Sequence, residues 1–298
     1  MTERRAAETT PLPVSAEFAA PSPEPSLAAW VLRGYSWKSL VALALIVLVG
    51  SSVGYSWSDL VDANGVDALL LGTWIWMTLM LCWRVTPRWD LLLLVSGLAG
   101  GGIIEWWGTT TQLWTYFTRE RPPLWILPAW PIAAISIDRM ALFYSAAWRR
   151  VERRRGATQQ RAFRAIYWVC LPTFVVGMSW FLWPAIDKPA SWAVVCIMLA
   201  VTLTPKDPRG DVMLFLAGTS LGVFLEYWGT SRQCWTYYTH QVPPPIAVVA
   251  HGFAALAFNR VAQAIAERLA IVAPALEAPG LGSPAPGLEA LPGAASAE

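Results

Sequence analysis

Charge is scarce in this chain, and so are the residues that most often bind metals. Only 14% of its 298 residues are charged, and it has two histidines and four cysteines. A net charge of +2 provides no large field for nucleic acid, so no nucleic-acid partner is expected. No pair of cysteines has metal-ligand spacing, and no disulfide framework is visible. The sequence therefore predicts neither a metal site nor a disulfide-stabilised fold.

The signatures of several large enzyme classes are also missing. The chain contains no Walker phosphate-binding loop, no dinucleotide fingerprint after a strand and no HExxH zinc motif. No cofactor is therefore expected. Whether the protein is an enzyme stays open at this point.

Long apolar runs take the place of charge. Hydrophobic residues make up 55% of the chain, and the runs are long and lack the period-two alternation of strands. They predict an all-α, polytopic integral membrane protein with about eight transmembrane helices. The predicted spans are residues 39–56, 66–85, 90–107, 124–148, 165–185, 190–204, 211–228 and 246–267.

Arginines in the loops predict the orientation. Residues 149–164 carry seven arginines, whereas residues 57–65 carry no lysine or arginine. The positive-inside rule then predicts a protein of the cell (inner) membrane with both termini cytoplasmic. The predicted units are a disordered cytoplasmic tail (1–36), a four-helix repeat (37–148), a basic linker (149–164), a second four-helix repeat (165–270) and a disordered tail (271–298). The expected partner is the lipid bilayer, with a hydrophobic lipid as possible substrate; protein partners are unknown.

One polar stretch occurs twice. Residues 105–118 read EWWGTTTQLWTYFT and residues 226–239 read EYWGTSRQCWTYYT, with nine of fourteen positions identical. The same offset of 121 places Gly97 on Gly218 and Gly101 on Gly222. Because each unit has an even number of spans, the two units share one orientation, which predicts tandem parallel repeats.

The glutamate at the head of each copy is the first candidate for a functional role. An ionisable side chain within a span is costly to bury, so Glu105 and Glu226 are candidate catalytic acid–base groups. Spacing of four from the glycines of the same helix predicts that both point into the bundle. An alternative is that each glutamate ties down the following loop by accepting hydrogen bonds. Gly108 and Gly229 are expected to end their helices.

Two further residues are candidates for catalysis. Asp138 lies within the fourth span, and neighbouring helix positions do not face each other, so Asp138 and Arg139 are each expected to pair with other helices. His251 lies in the last span at a depth similar to that of Glu226, where it is a candidate acid–base imidazole. A structural role is the alternative for both.

The loop after each glutamate is polar and aromatic. Polar backbone near membrane depth must be buried in protein or face water, which favours a lining role for these loops. The candidate substrate-binding residues are Trp107, Thr109, Gln112, Trp114 and Tyr116 in the first copy, and Trp228, Thr230, Gln233, Trp235 and Tyr237 in the second.

A glutamate followed by Gly-Thr, an aromatic-Tyr cluster and a proline-bearing helix resembles two groups of small membrane enzymes. These are the carotenoid hydratases of the bisanhydrobacterioruberin type and the tandem-repeat membrane lycopene cyclases. The cyclases' Pro-x-Glu-Glu motif is absent, since the chain reads Pro128-Ala129-Trp130. The resemblance implies protonation of an isoprenoid double bond by a buried carboxylic acid, with aromatic rings stabilising the carbocation.

Three function classes remain open on the sequence. The first is a cofactor-independent membrane enzyme that modifies an isoprenoid or carotenoid-type lipid. The second is a proton- or cation-coupled transporter with paired glutamates near its pseudo-symmetry axis. The third is a non-catalytic membrane scaffold or assembly subunit in which the motif is a structural lock.

Overall fold

The computed structural model describes residues 26–56, 58–59, 68–155 and 159–272, and these are almost entirely helical. The helices are α1 (Leu27–Leu32), α2 (Trp37–Ser56), α3 (Ala68–Cys82), α4 (Pro87–Thr110), α5 (Ala129–Arg155), α6 (Gln160–Phe181), α7 (Pro189–Leu203), α8 (Pro208–Ser231) and α9 (Pro245–Arg268). Two three-residue strands, β1 (Trp114–Tyr116) and β2 (Trp235–Tyr237), follow α4 and α8. The predicted disordered tails lie mostly outside the described residues, although α1 falls within the predicted N-terminal tail.

Six helical segments are long and apolar enough to cross a membrane, which confirms a helical multi-pass membrane protein. They are Trp37–Ser56, Pro87–Thr110, Leu124–Arg155, Gln160–Phe181, Pro208–Ser231 and Pro245–Arg268. The predicted spans at 66–85 and 190–204 correspond to α3 and α7, which are apolar but have only 15 residues each. A 15-residue helix is about 22 Å long, which is shorter than the hydrocarbon core of a bilayer.

Proline and aspartate set where the helices begin. Pro87, Pro189, Pro208 and Pro245 each open a helix, a position where proline costs nothing because that N–H has no partner in the helix. The Asp207 carboxylate accepts hydrogen bonds from the N–H groups of Arg209 and Gly210 and so caps α8.

The core is formed by α4, α5, α8 and α9, with α6 packed against α8 and α9. Helices α4 and α8 approach their neighbours closely at the predicted glycines. A Cβ atom on Gly218 would lie 2.6 Å from the Cα of Gly252, and one on Gly97 would lie 3.0 Å from the Cα of Pro131. In contrast, α2 is largely exposed and is held mainly by α3.

The two strands form an antiparallel pair that joins the loop after α4 to the loop after α8. Trp114 pairs with Tyr237, and Tyr116 pairs with Trp235. The pairing continues on both sides, since the N–H of Phe117 donates to the carbonyl of Cys234 and that of Tyr238 donates to the carbonyl of Leu113. This small sheet therefore closes one end of the four-helix core.

Candidate functional site

Glu105 lies near the end of α4, where three neutral groups donate hydrogen bonds to its carboxylate. The indole of Trp114 and the phenol of Tyr116 donate to Oε2 at 3.1 and 2.9 Å, and the indole of Trp130 in α5 donates to Oε1 at 3.1 Å. The residue is 4% exposed. The prediction that this glutamate points into the bundle is confirmed. Trp114 and Tyr116 belong to the loop that follows, so Glu105 also ties down that loop, as the alternative hypothesis predicts.

Glu226 is held in the same way at the end of α8, with one difference. The indole of Trp235 donates to Oε2 and the phenol of Tyr237 donates to Oε1, both at 3.0 Å. The third partner is His251 in α9, whose Nε2 lies 3.0 Å from Oε1. The third partner of Glu226 is therefore a titratable imidazole, whereas the corresponding partner of Glu105 is the indole of Trp130.

The two sets of donors contact each other through three pairs of rings. Trp114 lies against Tyr237 with ring centroids 6.0 Å apart, and Tyr116 lies against Trp235 at 5.9 Å. Trp130 and His251 stack at 5.9 Å with an interplanar angle of 16°. Each pair joins a donor to Glu105 with a donor to Glu226, so the two carboxylate sites form one continuous aromatic cluster.

The two tyrosines are fixed as donors by their surroundings. Burial raises the pKa of Tyr116 and that of Tyr237 well above the usual value, and the nearby carboxylates raise each further. Because both phenols keep their protons, they donate to the glutamates over the physiological pH range.

The expectation that Gly108 and Gly229 end their helices is wrong. Helix α4 continues to Thr110 and α8 to Ser231, and the left-handed residues that follow are Gln112 (φ 61°) and Gln233 (φ 57°). The glycines instead make room for the indoles that reach the glutamates. A Cβ on Gly108 would lie 1.8 Å from the Trp114 ring, and one on Gly229 would lie 1.8 Å from the Trp235 ring.

Replacing Gly108 with alanine tests this packing. We expect the Gly108→Ala variant to lose about 1–3 kcal/mol of unfolding free energy, because the methyl group displaces the Trp114 ring from Glu105. Gly102→Ala is the matched control on the same helix, since its nearest new contact is the Leu127 side chain at 4.0 Å. It is expected to be neutral or stabilising, as alanine favours helix over glycine. Unfolding in detergent micelles measures both, and equal stability of the two variants would contradict the packing role.

A small, open cleft of about 10 Å³, roughly the room that one water molecule needs, lies between α5 and α9. Two alanines from each helix line it, together with Trp130, Phe258 and His251. His251 is the titratable side chain of this lining, and its side chain is 15% exposed. The hydrogen bond to Glu226 occupies Nε2, and Nδ1 has no hydrogen-bond partner in the described part of the chain.

The remaining predicted loop residues divide into three groups. Thr109 and Thr230 are buried, and each hydroxyl donates at 2.6 Å to the backbone carbonyl of the preceding glutamate. The Trp107 indole donates at 3.1 Å to the hydroxyl of Ser191 in α7, whereas the Trp228 indole N–H is buried without a partner among the described residues. Gln112 and Gln233 are exposed on the turns and lie outside the cluster.

Asp138 belongs to a different site, at the other end of the core. Its carboxylate accepts from the indole of Trp89 at 3.3 Å, from Asn259 at 3.4 Å and from the guanidinium of Arg139 at 2.6 Å. The expectation that Asp138 and Arg139 pair with other helices is confirmed, but the premise that they do not meet each other is wrong, because the long arginine side chain folds back onto its neighbour. Eight residues of α5 separate Asp138 from Trp130, a rise of about 12 Å.

Arg139 lies at the centre of the polar cluster that contains Asp138. Its side chain is fully buried, and it also bonds to Asp90 in α4 and donates from Nε to the backbone carbonyl of Trp83 at 2.9 Å. Arg260 occupies the corresponding place in α9, where it donates to Asp211 at 2.5 Å and to the carbonyl of Thr204 at 2.7 Å. The cluster joins helix ends by hydrogen bonds and has no contact with the glutamates.

Sequence reasoning missed Trp130 and Phe258. The offset of 121 aligns Trp130 with His251, so the repeat contained the signal that Trp130 is the third donor to Glu105.

The sequence also contains a GxSxG pattern at Gly218, Ser220 and Gly222, but the structure does not support a serine nucleophile there. It lies within α8 rather than on a strand-to-helix turn, and the Ser220 hydroxyl donates to the carbonyl of Leu216.

Among the described residues, no group of three or more His, Cys, Asp or Glu side chains is arranged to hold a metal ion. No family model matches the chain, and no curated protein or solved structure shows significant similarity to it.

Proposed function

We propose that this protein is a membrane enzyme that transfers a proton to and from an apolar unsaturated lipid without a cofactor, with His251 as the acid–base group. One observation carries the proposal: His251 lines an apolar cleft between two helices while its Nε2 is bound to the buried carboxylate of Glu226. General acid–base catalysis requires a titratable group within reach of the substrate, held in one orientation.

The Glu226 carboxylate fixes the orientation of the His251 ring through Nε2. Nδ1 is then the nitrogen that exchanges a proton with the substrate. Trp235 and Tyr237 also donate to Glu226, which keeps the carboxylate in place during the reaction.

The chemistry we propose begins with proton transfer from the imidazolium to one carbon of a carbon–carbon double bond. The neighbouring carbon becomes a cation, and the rings of Trp130 and Phe258 line the same cleft to stabilise it. The reaction ends when an adjacent carbon returns a proton to the imidazole, or when water adds to the cation and gives its extra proton to the imidazole to leave an alcohol. The sequence resemblance to carotenoid hydratases and cyclases supports an isoprenoid or carotenoid-type lipid as the substrate.

We further propose that the chain crosses the cell (inner) membrane eight times as two parallel four-helix repeats, with both termini cytoplasmic. Three pairs of equivalent contacts support this proposal. They are Trp114–Glu105 with Trp235–Glu226, Tyr116–Glu105 with Tyr237–Glu226, and Arg139–Asp90 with Arg260–Asp211. In addition, α4 and α8 both have 24 residues. The arginines that end α5 support the orientation.

Mass spectrometry of membrane lipids tests the enzyme proposal. A host strain that expresses the wild-type protein is expected to contain a product lipid that the empty strain lacks. Glu226→Gln is expected to reduce its amount at least about tenfold, because a neutral amide is a weaker acceptor than a carboxylate and holds the His251 ring less firmly in one orientation. Glu105→Gln is the matched control, since its partners are two indoles and a phenol. It is expected to keep most of the product per folded molecule. Identical lipid profiles with and without the protein would contradict the proposal.

A second candidate is a non-catalytic membrane scaffold, and the surroundings of Glu105 favour it. That carboxylate is 4% exposed and its donors are neutral side chains that lock the loop onto α4 and α5. On this hypothesis Glu105→Gln and Glu226→Gln lower stability equally, and no product depends on either.

The third function class, a proton- or cation-coupled transporter, stays a prediction that a measurement of proton flux into proteoliposomes would test.

A further inference from the structure

The segment before the first long helix is folded against the end of α3. The Trp83 indole donates to the carbonyl of Val31 at 2.9 Å, and the Arg84 N–H donates to the carbonyl of Gly34 at 2.8 Å. A Cβ on Gly34 would lie 1.9 Å from the Trp83 indole nitrogen, so a larger residue does not fit there. These contacts fix Trp30 of α1 beside Trp83, with ring centroids 4.9 Å apart.

Two guanidinium groups meet at the Trp30 ring. The Cζ of Arg84 lies 5.2 Å from its centroid and that of Arg150, in α5, lies 5.7 Å from it. Arg84 also lies 5.8 Å from the Trp83 centroid. Its guanidinium stacks on these rings and makes no ion pair or side-chain hydrogen bond with the described residues. Burial lowers the pKa of Arg84, and the nearby Arg139 lowers it further.

The Arg84 guanidinium has donors available for an anion. A guanidinium presents five N–H donors in a planar fork that fits two phosphate oxygens, and stacking on indole leaves that edge free. An anion bound by Arg84 would also be attracted by the nearby positive charge of Arg150. Arg150 donates to the carbonyl of Ala146 in its own helix, and this bond holds it in position.

The surroundings of the two arginines are those of a membrane surface. Arg150 belongs to the arginine-rich end of α5, and tryptophans favour the boundary between headgroups and hydrocarbon. Leu32 and Trp37, two and seven residues after Trp30 in the chain, are 71% and 70% exposed. They provide exposed apolar surface for acyl chains within the same segment.

We propose that Arg84, Arg150 and Trp30 form a binding site for the phosphate headgroup of an anionic phospholipid. Arg84 contacts the phosphate with two donors, Arg150 adds a second positive charge, and the lipid chains lie along Leu32 and Trp37. Basic sites on the cytoplasmic side of membrane proteins bind such headgroups by the same physics. The site is independent of the proposed catalytic site, because it lies at the opposite end of α5 from Trp130.

Titration of the full-length protein in an uncharged detergent tests the site. The probes are dioctanoyl phosphatidylglycerol, dioctanoyl phosphatidylcholine and inorganic phosphate, with thermal unfolding and fluorescence as readouts. We expect saturable binding of phosphatidylglycerol alone, and at least about tenfold weaker binding by Arg84→Gln, in line with the loss of a bidentate charge-assisted contact. Arg88→Gln is the matched control, since this exposed arginine is the second residue of α4 and does not belong to the guanidinium pair at Trp30.

Three results would overturn the proposal. Equal affinity of wild type and Arg84→Gln would exclude Arg84 as a ligand, and equal binding of phosphatidylcholine would exclude recognition of the anion. Inorganic phosphate that binds as tightly as phosphatidylglycerol would identify a soluble phosphate ligand in place of the lipid. If Arg84→Gln fails to fold, the affinity of Arg84→Lys for phosphatidylglycerol is measured in its place. It keeps the charge but not the planar fork, so we expect several-fold weaker binding, and wild-type affinity would contradict a bidentate contact.

Discussion

Replacing Arg139 with methionine is expected to lower the free energy of unfolding by about 3–5 kcal/mol. Its guanidinium is fully buried and lies between the carboxylates of Asp90 and Asp138. Without it, the buried carboxylate of Asp138 and the partly buried carboxylate of Asp90 have no cation, and the carbonyl of Trp83 loses its donor. An unpaired buried charge costs far more than the pair contributes when intact.

Arg260→Met is the matched control for that loss. Arg260 bonds to one carboxylate instead of two, and its side chain is 11% exposed where that of Arg139 is 0% exposed. We expect a smaller loss, of about 1–3 kcal/mol, because one carboxylate loses its cation instead of two. Unfolding of both variants in detergent micelles gives the comparison. If Arg260→Met were the more destabilising, the polar cluster around Arg139 would not be the main link between these helix ends.

Replacing His251 with glutamine is expected to reduce product formation by about 10²- to 10⁴-fold, which is the usual contribution of a general acid–base group. Glutamine has a similar length and still donates a hydrogen bond to Glu226, so we expect stability to change by less than about 1 kcal/mol. It does not titrate, and so it cannot deliver a proton into the cleft. Product per folded molecule, measured in reconstituted membranes, separates this loss from a loss of protein.

His240→Gln is the control for that variant, since it removes the other histidine of the chain. His240 lies on an exposed turn after β2 with φ 57°. Gln112 and Gln233 adopt the same left-handed backbone conformation, so a glutamine fits there. We expect unchanged product formation. A comparable loss in both histidine variants would point to a general effect on the membrane preparation.

Much of this architecture follows from the amino-acid pattern. Apolar runs predicted a helical multi-pass membrane protein, and glycines at spacing four predicted that Glu105 and Glu226 point inward. Position along the spans predicted a similar depth for His251 and Glu226, and the His251 Nε2 and the Glu226 Oε1 are 3.0 Å apart. These features depend on helix periodicity and length, which are local properties that a sequence displays directly.

The features that were not predicted depend on contacts between distant segments. Strands of three residues are too short to show alternation, so the pairing of Trp114 with Tyr237 left no signal. The role of Gly108 was misassigned because a glycine near a helix end suits a cap, whereas here it makes room for an indole six residues later. Arg139 contacts Asp138 because a long side chain can fold back, which a rule based on Cβ positions does not include.

Deuterium transfer to a lipid carbon is the measurement that tests the central claim most directly. The wild-type protein and His251→Gln would each be reconstituted in heavy water with lipid extracted from the host, and carbon-bound deuterium would be measured by mass spectrometry. If His251 exchanges a proton with an unsaturated lipid in the cleft, the wild type places deuterium on carbon and His251→Gln does not. Deuterium on carbon in neither sample, or equally in both, would contradict the account.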